Sequence, residues 1–334
     1  MRKYGILVIG CGHIGSQHLA DIYYRENIKI IAVTDCNIEI AKEASRKYGA
    51  LYYGTDYHNF LTDEQVDIVI IATYASSHLQ ILRECLSANK HVLCEKPIAI
   101  SNEDGKAFYE AVKASDQKVL IAHILRHNKS YIKIRELIQA GKIGNLRVMR
   151  MVQNHHAMDW KRYKRLLEDC SPIVDCGVHY IDVMQWFTGA KIIEVGGFCT
   201  SIETDTVYPN YGLITVKLDN GAIGYYEAGW SKSMASQNLK EFIGDKGRIS
   251  LELKQHRSTN CEEGDLISIY HSDTGEYQTI NLQSEYKDMY GQISALIDMI
   301  EKNTPANPTI EEVYSAFVVA MTADKAIQGN KIIF

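Results

Sequence analysis

The chain has 334 residues, 46% hydrophobic and 23% charged, with a formal net charge of −5. Such values fit a globular protein of two domains with ample core material. With no basic block and no apolar stretch approaching a membrane span, neither nucleic acid nor a membrane is an expected partner.

The opening "MRKYGILVIGCG" has a basic tip, but its apolar run breaks at Gly10, too soon for a signal-peptide core. The eight cysteines are scattered with no Cys-x-x-Cys pair, which predicts reduced thiols in a cytoplasmic protein.

Over residues 1–122 the pattern alternates regularly. "YGILVIG" is a continuous apolar run, as in a strand covered on both faces. A glycine-rich turn and a helix over Ser16–Tyr24 follow, then a strand, "IKIIAVTD", and a helix over Ile38–Tyr48. "VDIVIIAT" is a third buried strand. "SHLQILRECLSANK" is a helix whose start is marked by Ser76 and Ser77. "HVLCEKP", a helix from Ser101 to Ser115 capped by Ser101, and the strand "KVLIAH" complete the run. Strands and helices alternating in this way predict a doubly wound parallel sheet.

Beyond residue 122 the pattern changes. Lys129–Ala140 is a helix stopped at Gly141, and "NLRVMRMVQNHH" is a long strand. Alternating strands with breakers follow, "LDNGAIG" being an Asn-Gly hairpin turn. Helices near 285–302 and 310–328 and a short "KIIF" close the chain. The expectation is an α/β protein: a dinucleotide-binding domain over 1–122, and an α+β domain with a large, mostly antiparallel open sheet over 123–334.

The chemistry starts at residues 10–15, Gly-Cys-Gly-His-Ile-Gly, a G-x-G-x-x-G directly after a strand and before a helix. Gly10 permits the tight turn. Gly12 admits a pyrophosphate, and Gly15 lets helix and strand pack closely. Asp35 ends the next strand about 20 residues on, the position of a carboxylate that holds the adenosine ribose hydroxyls. Asp35 repels a 2′-phosphate, and Cys36 and Asn37 offer no cation, so NAD is favoured over NADP. Arg46 and Lys42 are the cations that would reverse that choice. At 94–97, Cys-Glu-Lys-Pro sits at the carboxyl end of a parallel strand, where open sheets place ligands; the alternative is a solvated ion pair.

The chain resembles the glucose–fructose oxidoreductase / inositol dehydrogenase / MocA family. The matching stretches are "GCGHIGSQH", "IIATYASSH", "CEKPIA", "IRELIQAGKIGNL" and "DCGVHYIDVMQWFTG", in the family's order. The resemblance implies a Rossmann domain followed by a substrate domain whose open sheet pairs subunits into a homodimer or homotetramer. It adds His13, Ile14, Cys36, Thr73, Tyr74, His78, Glu95 and Lys96 to the cofactor-binding set of Gly10, Gly12, Gly15 and Asp35. It maps the family's Asp-x-Gly-x-His-x-x-Asp onto Asp175, Gly177, His179 and Asp182. The implied catalytic residues are His179 as proton acceptor, with Lys96 and Asp175 around the reacting hydroxyl. Arg126 resembles an arginine that lines the site. Two departures are Tyr74, where the family often has Pro, and the stretch "HHAMDWKRYKRLLEDCSPIV", which is not the glycine-rich version of the sugar dehydrogenases.

For "DCGVHYID" the alternatives are a solvated helix face, a metal site and acid/base apparatus. Cys170 and Cys176 lie too far apart for a zinc knuckle, so no metal is expected. A His titrating near neutrality suits removal of a hydroxyl proton. His155, Trp160 and Arg162, together with Arg126, are the candidate substrate-binding residues. The expected activity is hydride transfer between a secondary alcohol of a sugar, cyclitol or sugar derivative and NAD, with NADP as the alternative. Rival readings are a non-catalytic dinucleotide-binding regulator, an NAD-dependent glycosidase and an imine reductase.

Overall fold

The computed structural model describes residues 2–254, 264–285 and 287–329. The terminal "KIIF" and Cys261 lie outside them. The chain divides into two compact units, Met1–Ile124 with Asp288–Tyr314, and Leu125–Lys287 with Ser315–Phe334.

In chain order the first elements are β1 (Tyr4–Ile9), α1 (His13–Ile22), β2 (Ile28–Thr34), α2 (Ile38–Tyr48), β3 (Tyr52–Gly54), α3 (His58–Leu61), β4 (Ile68–Ile71), α4 (His78–Ser87), β5 (His91–Cys94), α5 (Asn102–Lys113) and β6 (Val119–Ile121). Then come α6 (Lys129–Gln139), β7 (Leu146–His156), α7 (Trp160–Asp169), α8 (Pro172–Asp175) and α9 (Gly177–Thr188). The strands β8 (Ile192–Thr200), β9 (Tyr211–Leu218), β10 (Ile223–Ser231), β11 (Gln237–Gly244), β12 (Gly247–Glu252), β13 (Asp265–His271) and β14 (Tyr277–Leu282) follow. The helices α10 (Met289–Lys302) and α11 (Ile310–Gln328) come last.

The first unit holds a parallel sheet in the order β3-β2-β1-β4-β5-β6. Strand order reverses between β1 and β4. In open α/β sheets that reversal opens a crevice at the carboxyl ends of the strands. Every residue of β1 and β4 is buried, which is why their sequences are continuous apolar runs rather than alternating ones. Helix α1 starts at His13, earlier than the Ser16 expected from the sequence, because helical geometry begins directly after Gly12. Ser77 does not cap α4. A short 3₁₀ turn over Ala75–Ser77 comes first, and the Ser77 hydroxyl turns back to Thr73 Oγ1 at 2.8 Å and the Tyr74 carbonyl at 2.9 Å. Ser101 does cap α5, accepting from the Asp104 N–H at 3.0 Å.

The sequence pattern assigns all of 123–334 to the second domain. The structure returns α10 to the first sheet instead, where Ile293, Leu296, Ile297 and Met299 join a core with Tyr4, Ile6, Leu19, Ile22 and Leu93. Met289 N–H donates to Asp21 at 3.2 Å, and the Tyr4 hydroxyl donates to Glu301 at 3.1 Å. The apolar face of α10 carries no sequence mark of which sheet it covers.

The second unit holds an eight-stranded sheet, β14-β13-β12-β11-β7-β10-β9-β8. All its pairings are antiparallel except β7 with β10. The β9–β10 turn is the expected Asn220-Gly221 hairpin, with Gly221 at φ +82°. Gly212 on β9 lies under Ile173 of α8 and Ile327 of α11, which stack on that end of the sheet.

A Cβ added to Gly15 would stand 1.8 Å from the Gly10 carbonyl oxygen, backbone that cannot swing aside. The substitution Gly15→Ala is therefore expected to cost about 1–3 kcal/mol of stability. Urea denaturation of the variant checks it, and an unshifted midpoint would show that helix and strand have more play than this.

Candidate active site

Each unit carries part of the expected site. In the first, the glycine turn joins β1 to α1. Gly10 has φ +90°, a region that favours glycine, and a Cβ there would meet the Ala72 carbonyl oxygen at 2.5 Å. Around Gly12, in contrast, an added Cβ meets nothing within 4 Å. No side chain caps α1, and no acidic residue sits in its first turn. The result is open space over a helix N-terminus, whose N–H groups and dipole favour an anion. A dinucleotide pyrophosphate fits these residues.

Asp35 lies beside the turn and is half-buried. It accepts from Cys11 N–H at 2.9 Å through one oxygen and from Asn37 N–H at 2.9 Å through the other. Those bonds hold the carboxylate in place and leave it lone pairs for a pair of hydroxyls. Cys36 and Asn37 are exposed and uncharged. His13, also exposed, reaches the Gln17 amide at 2.8 Å.

Across the strand-order reversal, β4 leads to Thr73 and the exposed Tyr74, and β5 leads to Glu95 and the half-buried Lys96, which precedes a cis Pro97. His78 was expected to bind cofactor. It is fully buried, its ring nitrogens 2.9 Å from the Pro97 carbonyl and 3.2 Å from that of Thr73. Burial pushes its pKa below the ordinary value, so the ring is neutral and donates one N–H. Its work is to bind the two loops to each other. Glu95 is likewise turned inward, 2.8 Å from the buried Nε2 of His18. Nothing local in the sequence pairs residues 18 and 95, so this contact was missed.

In the second unit the "DCGVHYID" stretch is not one uninterrupted helix. Asp175 closes α8, Cys176 forms the turn, and His179 lies in the first turn of α9. Asp175 and His179 are half-buried. Asp182 is directed elsewhere: Arg126 donates to its two oxygens through Nε at 2.8 Å and Nη2 at 2.7 Å, both residues being buried. The Arg126 guanidinium also lies 4.8 Å from the Trp186 ring centroid. Arg126 was expected to touch substrate; here it anchors α9 through a fork-to-carboxylate pair. Gly177 was expected to admit a ligand, but its close neighbour is the buried Tyr226 ring, 3.3 Å from a built Cβ.

His155 and His156 end β7 and diverge, as adjacent strand residues do. His156 is exposed, with Nδ1 3.0 Å from the Met234 carbonyl. His155 Nδ1 lies 3.1 Å from the Tyr163 hydroxyl. Tyr163 leans on the buried Trp230 at 5.5 Å between centroids, and its hydroxyl is within electrostatic reach of Asp175 and Cys176. Burial pushes the Tyr163 pKa up, which keeps the phenol protonated. Sequence reasoning passed over Tyr163 because a tyrosine inside a basic helix gives no local sign of its neighbour eight residues back. Trp160 and Arg162 stand on the same helix, α7, both half-buried.

Beneath α9, the fully buried Lys240 of β11 donates to the Val152 carbonyl at 2.8 Å and to Asn238 Oδ1, and faces the Tyr180 ring at 4.6 Å. Burial pushes its pKa well below the ordinary value.

A parallel sheet with an anion-ready glycine turn, followed in the chain by a second unit built on a large, mostly antiparallel sheet, is the architecture of a nicotinamide-nucleotide oxidoreductase. Comparison with known proteins makes this specific. A family model described as "Oxidoreductase family, NAD-binding Rossmann fold" matches residues 4–123, and one described as "GFO/IDH/MocA C-terminal domain" matches residues 131–250. The chain belongs to the GFO/IDH/MocA family of oxidoreductases. It is 32% identical to Oxidoreductase P35 of Formosa agariphila over 81% of this chain and 85% of that one. It is 22% identical to myo-inositol 2-dehydrogenase of Thermotoga maritima, over 97% and 96%. Its fold matches that of scyllo-inositol dehydrogenase from Lactobacillus casei, solved with NAD(H) and scyllo-inositol, at a TM-score of 0.79. That match has 21% identity and covers 99% of each chain.

Two measurements follow from the pairs above. Replacing Asp182 by Ala leaves a buried guanidinium without its carboxylate and is expected to cost about 3–5 kcal/mol, read by urea denaturation. His78 has a folded-state pKa below its unfolded value of 6.5. The unfolded chain therefore takes up the proton first, so stability is full above pH 6.5 and falls as pH drops below it. In the His78→Gln variant that acid limb of the stability curve is expected to flatten; an unchanged slope would assign it to other groups.

Proposed function

We propose that the protein is an NAD-dependent dehydrogenase that oxidises a secondary alcohol of a sugar, cyclitol or sugar derivative. The observation that carries this reading is the open, uncapped glycine turn at Gly12 with Asp35 fixed beside it. NAD, when bound, supplies the hydride acceptor. Gly10, Gly12 and Gly15 shape its phosphate cradle, with His13 and Ile14 opening the helix above. Asp35 receives the adenosine ribose, flanked by Cys36, while Thr73 and Tyr74 line the nicotinamide side.

His179 takes the hydroxyl proton as hydride leaves the same carbon, and Asp175 orients or supports the resulting imidazolium. The Lys96 ammonium stabilises the oxyanion that develops on the substrate. Support comes from the family, and from relatives named for inositol dehydrogenation.

NAD is preferred over NADP. The preference rests on Asp35, whose negative charge repels a 2′-phosphate, and on the uncharged Cys36 and Asn37 that follow it; Arg46 and Lys42 of α2 are the cations that would reverse it. Subunits associate through the eight-stranded sheet, whose exposed apolar side chains include Ile193, Phe198, Ile223 and Tyr277.

A panel of cyclitols, sugars and sugar phosphates tested with NAD and NADP, followed as NADH or NADPH absorbance, tests the reading. His179→Ala and Lys96→Ala should each lower kcat by about 10²-fold or more while NAD affinity stays within a few-fold. Wild-type turnover in His179→Ala removes the histidine from the role of base. NAD binding with no turnover of any polyol favours a regulator. Cleavage of aryl glycosides with no net NADH favours the glycosidase.

A further inference from the structure

Helix α7 carries four basic residues, Lys161, Arg162, Lys164 and Arg165, and their partners differ. Lys164 pairs with Asp205 at 2.6 Å and Arg165 with Glu168. Lys161 is exposed. Arg162 is half-buried, and among the described residues no ion pair or hydrogen bond reaches its guanidinium. The group lies over the Tyr163 ring instead, 5.1 Å from the centroid. Asp159 and Asp175 lie, like Arg162, within electrostatic reach of the Tyr163 hydroxyl, but neither makes an ion pair with the guanidinium among the described residues. Asp159 caps α7, accepting from the Arg162 backbone N–H at 3.3 Å, and Asp175 is the acid paired in sequence with His179.

A second cation lies nearby. The Lys232 ammonium sits 5.3 Å from the ring centroid of Trp160, the first residue of α7. It makes no salt bridge among the described residues, and its charge acts on the Asp205 carboxylate. Beside one another on α7 stand the planar Arg162 fork, the Tyr163 ring and the Tyr163 hydroxyl with its His155 partner; Trp160, two residues before Arg162, does not share the fork's face. An arginine drawn partly out of water with no carboxylate in ion-pair contact has part of its lost hydration uncompensated. Its fork matches a carboxylate or a phosphate, which it can bind with two parallel hydrogen bonds.

We infer that the substrate is an anionic sugar or cyclitol, one bearing a carboxylate or a phosphate, whose charge is held by Arg162 while the His155–Tyr163 pair takes a ring hydroxyl. This rests on the dehydrogenase reading above and adds the substrate's charge to it. The redox step is unchanged: the carbinol C–H leaves as hydride to NAD, its O–H proton goes to His179, and a ketone and NADH result. Because the contact is between charges, binding weakens as salt rises.

The test compares glucose, glucuronate and glucose 6-phosphate as matched neutral, carboxylate and phosphate probes. Initial rates with NAD and calorimetric titration into the NAD-loaded protein are both recorded, so the preference is read with or without turnover. One anionic probe should exceed glucose by about ten-fold or more in kcat/KM or affinity, and Arg162→Gln should shrink that ratio by a similar factor, chiefly through KM. Arg162→Lys, which keeps the charge and loses the fork, should fall between the two. Whichever anion is favoured identifies the group. Glucose binding as well as both anions, or a ratio untouched in Arg162→Gln with an unchanged melting temperature, overturns the inference. Anion preference in titration without NADH from any probe sustains the anion site and overturns the dehydrogenase reading instead.

Discussion

The first unit depends on one close approach of backbone to backbone. With no side chain at residue 15, the first turn of α1 can rest against the Gly10 carbonyl at the end of β1. Gly10, at φ +90°, turns the chain over the end of the neighbouring strand β4 at Ala72. The two contacts fix the direction in which the N–H groups of α1 point, and Gly12 keeps the space in front of them open. Phosphate recognition is thus a by-product of packing: the geometry that lets helix and strand touch also aims the helix dipole. The Asp35 carboxylate, which accepts from Cys11 N–H, ties the same turn to the end of β2.

In the second unit the corresponding work is done by buried polar pairs. Arg126 and Asp182 hold α9 from one side, and Lys240 supports it from the sheet below through Tyr180. Such groups are costly to bury without partners, and here each takes at least one partner from another element. Both contacts fall on α9, the helix that bears His179.

Much of this was legible in the sequence because its signals are local. The glycine spacing and the distance to Asp35 come from contiguous residues, as do the Asn220-Gly221 turn and the Ser101 cap. What was not legible depends on residues far apart in the chain. His18 meets Glu95, Arg126 meets Asp182, His155 meets Tyr163, and α10 covers a sheet formed more than 160 residues earlier. Arg126 and His78 carry the residue types expected of ligand contacts. Both are buried, and burial is a property of the fold that a short stretch of sequence does not encode.

The return of α10 bears on how the protein is made. A ribosome that has released residues 2–124 has delivered all six strands of the first sheet but not Ile293, Leu296, Ile297 or Met299. The apolar patch around Tyr4, Ile6 and Ile22 then lacks its cover until about 175 more residues emerge, a delay on the order of ten to thirty seconds at ordinary elongation rates. During that interval the nascent nucleotide-binding unit is a natural client for chaperones, and its maturation waits on translation of the far end of the message.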